Sequence, residues 1–157
     1  VDHNHPILGV VYSPVSKQGY GAFKGGGAWT WQEGSDLLAI HITDVPDCIR
    51  VMTGFSDVPR GERTQEFLSQ LGHYELFEVG SALKACLIAE GKADVYPRFG
   101  KTSEWDTAAS LISLEEAGGA LIQLSGYPLT YNLRDTLENP PFIAFGQQDY
   151  LWHFLGS

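Results

Sequence analysis

The sequence has little cysteine, little positive charge and no long apolar run, and each shortage excludes a class of protein. Its two cysteines, Cys48 and Cys86, lie far apart without a CxxC motif, which indicates buried thiols in a reducing compartment rather than a disulfide scaffold. Ten Lys and Arg against 19 Asp and Glu give a net charge of -9, which argues against a nucleic-acid surface. No run reaches membrane-spanning length and no signal peptide opens the chain.

Several catalytic motifs are also missing. There is no GxSxG elbow and no Walker loop, and the five histidines form no i, i+4 pair. The Gly19-Tyr20-Gly21 stretch lacks the third glycine and the helix of a dinucleotide fingerprint, so a hairpin turn explains it better. These absences leave open a phosphate pocket, because metal ions and helix N-termini can neutralise an anion locally even in an acidic protein.

What is present is a soluble, globular composition with a readable order of elements. The 157 residues are 43% hydrophobic and 18% charged, enough for one packed domain. The residue pattern predicts an opening meander of three strands at 7–12, 19–23 and 28–31, followed by a polar, irregular connection over 35–47. Further strands are predicted at 49–55, 74–79, 93–96 and 142–145, and a hairpin at 120–124 and 128–131. Helices are predicted at 62–71, 80–90, 104–117 and 148–155. Strands alternating with helices from residue 49 onward indicate an α/β layer.

Asp106 is the strongest candidate for chemistry, at the start of the helix that opens with WDTAA. Two roles are open to it. Asp is a preferred helix N-cap, which is the more frequent role of such a residue. A carboxylate there can instead hold a divalent cation beside a phosphate, but magnesium needs several oxygen ligands and the sequence shows no obvious partners.

A second candidate is the strand that runs into Gly80 and Ser81, with Lys84 in the first helical turn. A helix start of this kind presents backbone N–H groups and a hydroxyl to an anion, and Lys84 adds a charge. Taken alone, the pattern slightly favours an ordinary serine cap with an exposed lysine. Arg98 lies in the loop between a strand and Asp106. Ligands of open α/β layers bind beyond the carboxyl ends of strands, so this loop is placed to reach a ligand. Because guanidinium groups pair with phosphates, Arg98 is a candidate for phosphate binding. Thr53 ends another strand and is a candidate for the rim of the same site.

Four segments of the second half stand in an order that resembles a known superfamily: GSALKACLIAEGKADVYPRFG, WDTAAS, EEAGG and GYPLTY. Together they look like the C-terminal half of the magnesium-dependent, lithium-sensitive phosphatases. That superfamily includes inositol monophosphatases, fructose-1,6-bisphosphatases and 3'(2'),5'-bisphosphate nucleotidases. The YPRFG segment and Lys84 look most like the bacterial bisphosphate nucleotidases. The opening strands are also similar to this family, so the resemblance covers nearly the whole chain.

The resemblance implies the C-terminal part of an α-β-α-β-α sandwich. Residues 1–34 would supply the final strands of an N-terminal sheet, with an exposed edge, and residues 35–157 the C-terminal α/β layer. The sequence opens with Val1 and not with an initiator Met. It also lacks the family's DPxDGT motif, upstream glutamate and water-orienting threonine-aspartate pair. We therefore expect a fragment of a larger enzyme.

The resemblance also implies a function and a cofactor. It implies Mg²⁺-dependent hydrolysis of the 3'-phosphate of adenosine 3',5'-bisphosphate to AMP, in sulfur assimilation. Asp106 corresponds to a metal ligand that also touches substrate, and the implied substrate-binding set is Gly80, Ser81, Lys84, Arg98, Thr53 and Asp106. No residue of the chain corresponds to a catalytic base, so we expect the chain alone to be inactive.

Two other functions stay open. An inositol monophosphatase or sugar-phosphate phosphatase shares the same core, and a catalytically inactive phosphate-binding or assembly module would keep the phosphate-facing helices alone. The expected ligand is a small phosphate monoester, and the expected partner is a second copy or an N-terminal half. We expect a cytoplasmic protein, with peripheral contact to the inner membrane as an alternative.

Overall fold

A computed structural model describes residues 1–54, 61–80 and 82–150, which form two β-sheets and three helices. The first sheet is an antiparallel meander in the order β1-β2-β3-β4, formed by β1 (Leu8–Ser13), β2 (Gln18–Phe23), β3 (Gly27–Gln32) and β4 (Leu38–Ile40). The turn between β2 and β3 contains Gly25 and Gly27 at φ of 76° and 90°, a region that favours glycine. This confirms the predicted opening meander.

The fourth strand corrects the prediction of an irregular connection over 35–47. β4 pairs with β3, with Ala28 opposite Ile40. It has only three residues, of which Ile40 alone is buried, so it shows no alternation that a sequence pattern could reveal.

The second sheet has the order β6-β5-β7-β9-β8 and mixes parallel with antiparallel pairs. Its strands are β5 (Ile49–Thr53), β6 (Tyr74–Glu78), β7 (Val95–Arg98), β8 (Ala120–Gln123) and β9 (Phe142–Phe145). β5 runs parallel to both β6 and β7, whereas β9 is antiparallel to β7 and β8. The carboxyl ends of β5, β6 and β7 therefore lie at one edge of the sheet.

Two predictions in this sheet are wrong. β7 continues through Pro97 to Arg98 instead of ending at residue 96, because β5 pairs with β7 only at Val95 and the missing N–H of Pro97 costs no bond on that side. The predicted strand at 128–131 is reduced to one isolated bridge between Ile122 and Pro128, so it is not a full hairpin partner of β8.

The helices are α1 (Glu62–Ser69), α2 (Leu83–Ala89) and α3 (Glu104–Glu116). Their positions confirm the three predicted central helices. Residues 148–150 are helical, and the remainder of the predicted last helix lies outside the described residues. None of the described helices combines the length and the apolar character that crossing a membrane requires.

Helices α2 and α3 lie between the two sheets, and α1 covers the other face of the second sheet. The main core joins Tyr20 of the first sheet with Leu111 and Ile112 of α3 and Phe142 of the second sheet. A second cluster joins α1 to β5, β7, β8 and β9. Gly9 permits the close approach of β1 to α3, because a Cβ there would lie 2.2 Å from the carbonyl oxygen of Ala109. The layers are thus sheet, helix, sheet and helix, as the predicted layered sandwich requires.

The outer face of β1 is apolar and open. Leu8, Val10 and Tyr12 alternate along the strand and are 64%, 58% and 46% exposed. Among the described strands β1 has a neighbour on one side only, which agrees with the predicted exposed edge of the meander.

Candidate functional site

A cavity of about 330 Å³ opens where the parallel strands end and the two central helices begin. Gly54 and Gly80 enter it directly after β5 and β6, and Arg98 enters it at the end of β7. The first turns of α2 and α3 close the cavity from the other side. Ligands of α/β sheets bind beyond the carboxyl ends of strands, so the cavity lies where the topology favours a ligand.

Asp106 lies in the first turn of α3, where it has a structural contact and still faces the cavity. Ser103 is the N-cap residue, and its backbone N–H donates to Asp106 Oδ2 at 2.8 Å. The Asp106 side chain is exposed and lines the cavity. The capping contact uses one carboxylate oxygen, so capping and ligand binding by Asp106 are compatible rather than alternative roles.

The start of α2 differs from the prediction. The helix begins at Leu83, with Ala82 at the N-cap position and no side-chain cap, not at Gly80. Glycine is a poor helix former, which explains a start further along the chain. Gly80 still lines the cavity, and Ser81 lies outside the described residues.

Lys84 is a buried cation in the wall of the cavity and not the exposed lysine of an ordinary helix start. Its side chain is 5% exposed, and Nζ donates to the carbonyl oxygen of Val79 at 3.2 Å. Nζ also lies 4.8 Å from the centroid of the Tyr96 ring, within the range of a cation–π contact. Burial lowers the pKa of the Lys84 ammonium, and the negative charge of Asp106 opposes this shift.

Tyr96 and Arg98 of β7 line the same wall of the cavity as Lys84. Arg98 Nη2 donates to the carbonyl oxygen of Lys101 at 2.7 Å, which holds the loop that follows the strand. Burial lowers the pKa of Arg98, opposed by Asp106, and a guanidinium still stays charged because its ordinary pKa is so high. Burial, followed by the charge of Asp106, raises the pKa of Tyr96, so this phenol stays neutral and keeps its O–H donor.

The structure brings together most of the predicted site residues. Gly80, Lys84, Arg98 and Asp106 all line the cavity. Thr53 does not: it is 2% exposed at the end of β5, where its carbonyl accepts the Val79 N–H at 2.9 Å. The backbone of the following residue, not the Thr53 side chain, reaches the cavity.

Other lining residues carried little signal in the sequence. They include Gly54, Tyr96, Thr107 and Ser110. Gly54 directly follows a parallel strand, and the rule that ligands bind beyond the carboxyl ends of such strands could have identified it from the sequence. The other three are ordinary strand or helix residues, and only the tertiary packing, with α2 in contact with both α3 and β7, brings them to one cavity.

The described residues do not by themselves form a magnesium site. No group of three or more His, Cys, Asp or Glu side chains in the described ranges is arranged to hold a metal. Among the described residues that line the cavity, Asp106 is the one carboxylate. Magnesium in proteins is held by one or two carboxylates together with substrate phosphates and waters, so Asp106 can be only part of such a site.

Comparison with known proteins adds a family to this geometry. A family model described as "Inositol monophosphatase family" matches residues 1–149. A 3'(2'),5'-bisphosphate nucleotidase CysQ of Aggregatibacter actinomycetemcomitans is 38% identical over 154 residues, which is 97% of this chain and 56% of that protein. CysQ of Escherichia coli K12 is 40% identical over 143 residues, 90% of this chain and 56% of that protein.

Solved structures agree with the sequence matches. The crystal structure of CysQ from Bacteroides thetaiotaomicron, a bacterial member of the inositol monophosphatase family, matches with a TM-score of 0.83 and 34% identity over 94% of this chain and 60% of that chain. An inositol monophosphate-bound enzyme, SaIMPase-II, shares the fold with a TM-score of 0.71 and 21% identity over 94% of this chain and 56% of that chain. The chain thus spans little more than half the length of the relatives it matches.

Proposed function

Because this chain belongs to the inositol monophosphatase family, we propose that it carries the phosphate-binding side of a phosphomonoesterase site that hydrolyses the 3'-phosphate of adenosine 3',5'-bisphosphate. The observation that supports this most directly is the cavity that Lys84, Arg98 and Asp106 line together, where the charge of Asp106 acts on both cations. Similarity to proteins named 3'(2'),5'-bisphosphate nucleotidase supports the choice of substrate.

The charge of the cavity is opposite to that of the protein. Its charged lining residues in the described part of the chain are Lys84, Arg98, Lys101, which also pairs with Glu138 at 3.4 Å, and Asp106, although the whole chain has a net charge of -9. Arg98 can pair with phosphate oxygens through a planar fork, and Lys84 adds a desolvated point charge. A ligand with two phosphate groups uses this excess of positive charge better than a ligand with one.

We propose Mg²⁺ as the cofactor and Asp106 as one of its ligands. Magnesium would supply charge neutralisation and an activated water in phosphate hydrolysis. Because Asp106 is one carboxylate, the remaining oxygen ligands would be waters, the phosphate oxygens of the substrate and groups outside the described residues. The roles of this chain's own residues are then to bind the phosphates with Lys84 and Arg98 and to present Asp106.

The single carboxylate favours a second candidate function as well. A module that binds the phosphate ester, or assembles with another polypeptide, without hydrolysis would need the cationic wall and not a complete metal centre.

We also propose the predicted reducing, cytoplasmic location. The free thiols of Cys48 and Cys86 support it, because thiols stay reduced in such a compartment.

The test is to measure binding and turnover together on the 157-residue chain, with adenosine 3',5'-bisphosphate, AMP and inositol 1-phosphate in the presence of Mg²⁺. We expect calorimetry to show that the bisphosphate binds about 10-fold more tightly than AMP, the effect of one additional charge-assisted contact. We expect no phosphate release.

Each other outcome has a defined meaning. Equal affinity for the bisphosphate and AMP would contradict the proposed substrate, and preference for inositol 1-phosphate would support an inositol monophosphatase. Turnover of the bisphosphate that disappears in Asp106→Asn would establish the phosphatase and show that the chain's metal ligands are more complete than we propose. No binding of any of the three ligands would reject the function.

A further inference from the structure

A buried polar network lies beneath the first turn of α3, and its central member is Asn139; two of its partners, Thr102 and Thr107, also line the cavity. Asn139 is 5% exposed and comes from the segment between β8 and β9, which contains neither a helix nor a full strand. Neither the sequence patterns nor the resemblance pointed to this residue. Its Nδ2 contacts Ser103 and Thr107 on the two sides of Asp106, and its Oδ1 accepts from Arg134 Nη2 at 3.5 Å.

The side-chain amide of Asn139 holds both sides of the Asp106 position. Nδ2 donates to the carbonyl oxygen of Ser103 at 2.8 Å and lies 3.2 Å from Thr107 Oγ1. It also lies 3.2 Å from Thr102 Oγ1, and the Asn139 backbone N–H donates to the Thr102 carbonyl at 2.8 Å. One buried side chain therefore ties the loop before α3 to the first helical turn.

The residues that Asn139 holds are those that orient the Asp106 carboxylate. The Ser103 N–H donates to Asp106 Oδ2, and the Asp106 N–H donates to the Ser103 carbonyl, the oxygen that also accepts from Asn139. If this loop shifts, the carboxylate loses its donor and its direction. A shift of about 1 Å at a positioning group is enough to change function by orders of magnitude.

The rest of the network fixes Asn139 and Thr107 in turn. The hydroxyl of Tyr131 donates to Thr107 Oγ1 at 3.0 Å. Glu104, which is 6% exposed, accepts from the Asn132 N–H and from Arg134 Nη2, both at 3.0 Å. Within the described residues, Arg134 Nε at the edge of this network is buried without a hydrogen-bond partner. Removing one member of a buried polar network leaves its partners without a hydrogen bond.

We propose that Asn139 is a positioning residue for Asp106. It acts through the Ser103 cap and Thr107 and does not line the cavity itself. The role of Asp106 as a ligand-binding group rests on the proposed function. That Asn139 holds Ser103 and the start of α3 in place does not depend on it.

The test uses Asn139→Asp, which keeps the shape and removes the two N–H donors, and Asn139→Leu as a second variant should the first fail to fold. The control is Thr30→Val, which removes a buried hydrogen bond from Thr30 to the Gly19 carbonyl in the first sheet. Amide hydrogen exchange is measured at Ser103 and Asp106 and, as a reference inside α3, at Leu111. We expect exchange about 10-fold faster at Ser103 and Asp106 in the Asn139 variants, unchanged at Leu111, and no local change in the control.

A second measurement is the affinity for adenosine 3',5'-bisphosphate with Mg²⁺. Asn139→Asp should lower it about 10-fold in the wild-type background and have almost no further effect in Asp106→Asn, because both changes act on the same group. Unchanged exchange at Ser103 in both Asn139 variants would overturn the proposal. If exchange rises while the wild-type chain binds no nucleotide, the proposed function fails and the positioning of the cap stands. Additive losses with Asp106→Asn would also contradict action through Asp106.

Discussion

The two helices that meet at the cavity begin in different ways. α3 starts with Ser103 and contains Asp106, whose carboxylate accepts the N-cap backbone N–H, so the helix satisfies part of its own start. α2 starts at Ala82 without a side-chain cap and contains Lys84, a cation buried in its first turn. A positive charge is unfavourable near a helix N-terminus, whereas a negative charge is favourable there.

The comparison shows which residue serves the fold and which serves a ligand. Asp106 stabilises α3 whether or not a ligand is bound, so its presence alone is weak evidence of function. Lys84 is buried in the first turn of α2, where the helix dipole opposes a cation, and the Val79 carbonyl, the Tyr96 ring and the charge of Asp106 stabilise it there. Its position in the wall of a cavity with a lowered pKa is the kind of feature that occurs at binding sites.

The largest effect is expected from Asp106→Asn. The amide oxygen can still accept the Ser103 N–H, so the cap is kept and only the charge is lost, at a cost of about 0.3–1 kcal/mol in stability. Under the proposed function the same change removes a metal ligand, and we expect at least about a 100-fold loss of Mg²⁺-dependent nucleotide affinity.

The matched control is Asp135→Asn, an exposed carboxylate on the loop before Asn139. It should leave nucleotide affinity unchanged in calorimetry. If Asp106→Asn also leaves affinity unchanged, Asp106 is only a cap, and the contrast between the two helix starts loses its functional meaning.

A smaller effect is expected from pH at Lys84. Because burial lowers its pKa below the ordinary 10.5, the folded chain releases this proton before an exposed lysine does. Bisphosphate affinity should therefore fall as pH rises through the lowered pKa. The contribution of Lys84 to the free energy of unfolding rises with pH until about 10.5, since the unfolded chain binds this proton more tightly, whereas the raised pKa of Tyr96 contributes a change of the opposite sign.

Lys84→Met removes the titrating group and should abolish both pH effects, with an affinity about 10-fold lower at neutral pH. Lys92→Met, at the exposed end of α2, is the control and should keep the wild-type profile. A Lys84→Met chain whose affinity matches the wild type at neutral pH would show that the buried ammonium does not meet the ligand.

Local patterns predicted the elements that build the site. Apolar spacing and closing glycines identified α3 and the strands of the second sheet, and the expectation that Arg98 and Asp106 lie together is confirmed by the cavity they share. The site roles assigned to them stay predictions. The presence of helices and strands can be read from sequence because it depends on residues a few positions apart, whereas the start of α2 and the end of β7 differ from the prediction.

What could not be predicted depends on contacts between distant residues. The burial of Lys84 results from Tyr96 and from the packing of α2 between the sheets, and Asn139 reaches Ser103 from 36 positions away. β4 exists through pairing with β3 and not through its own pattern. In each case the outcome depends on tertiary contacts, which cannot be inferred from a single sequence.

The central claim is that a phosphate ester binds between the two helix starts. The most direct measurement is an amide NMR titration of the chain with adenosine 3',5'-bisphosphate and Mg²⁺. We predict the largest shifts at Gly54, Gly80 and Asp106, with none in the second cleft lined by Asp44 and Arg50. Shifts confined to that second cleft, or spread evenly over the chain, would contradict the account.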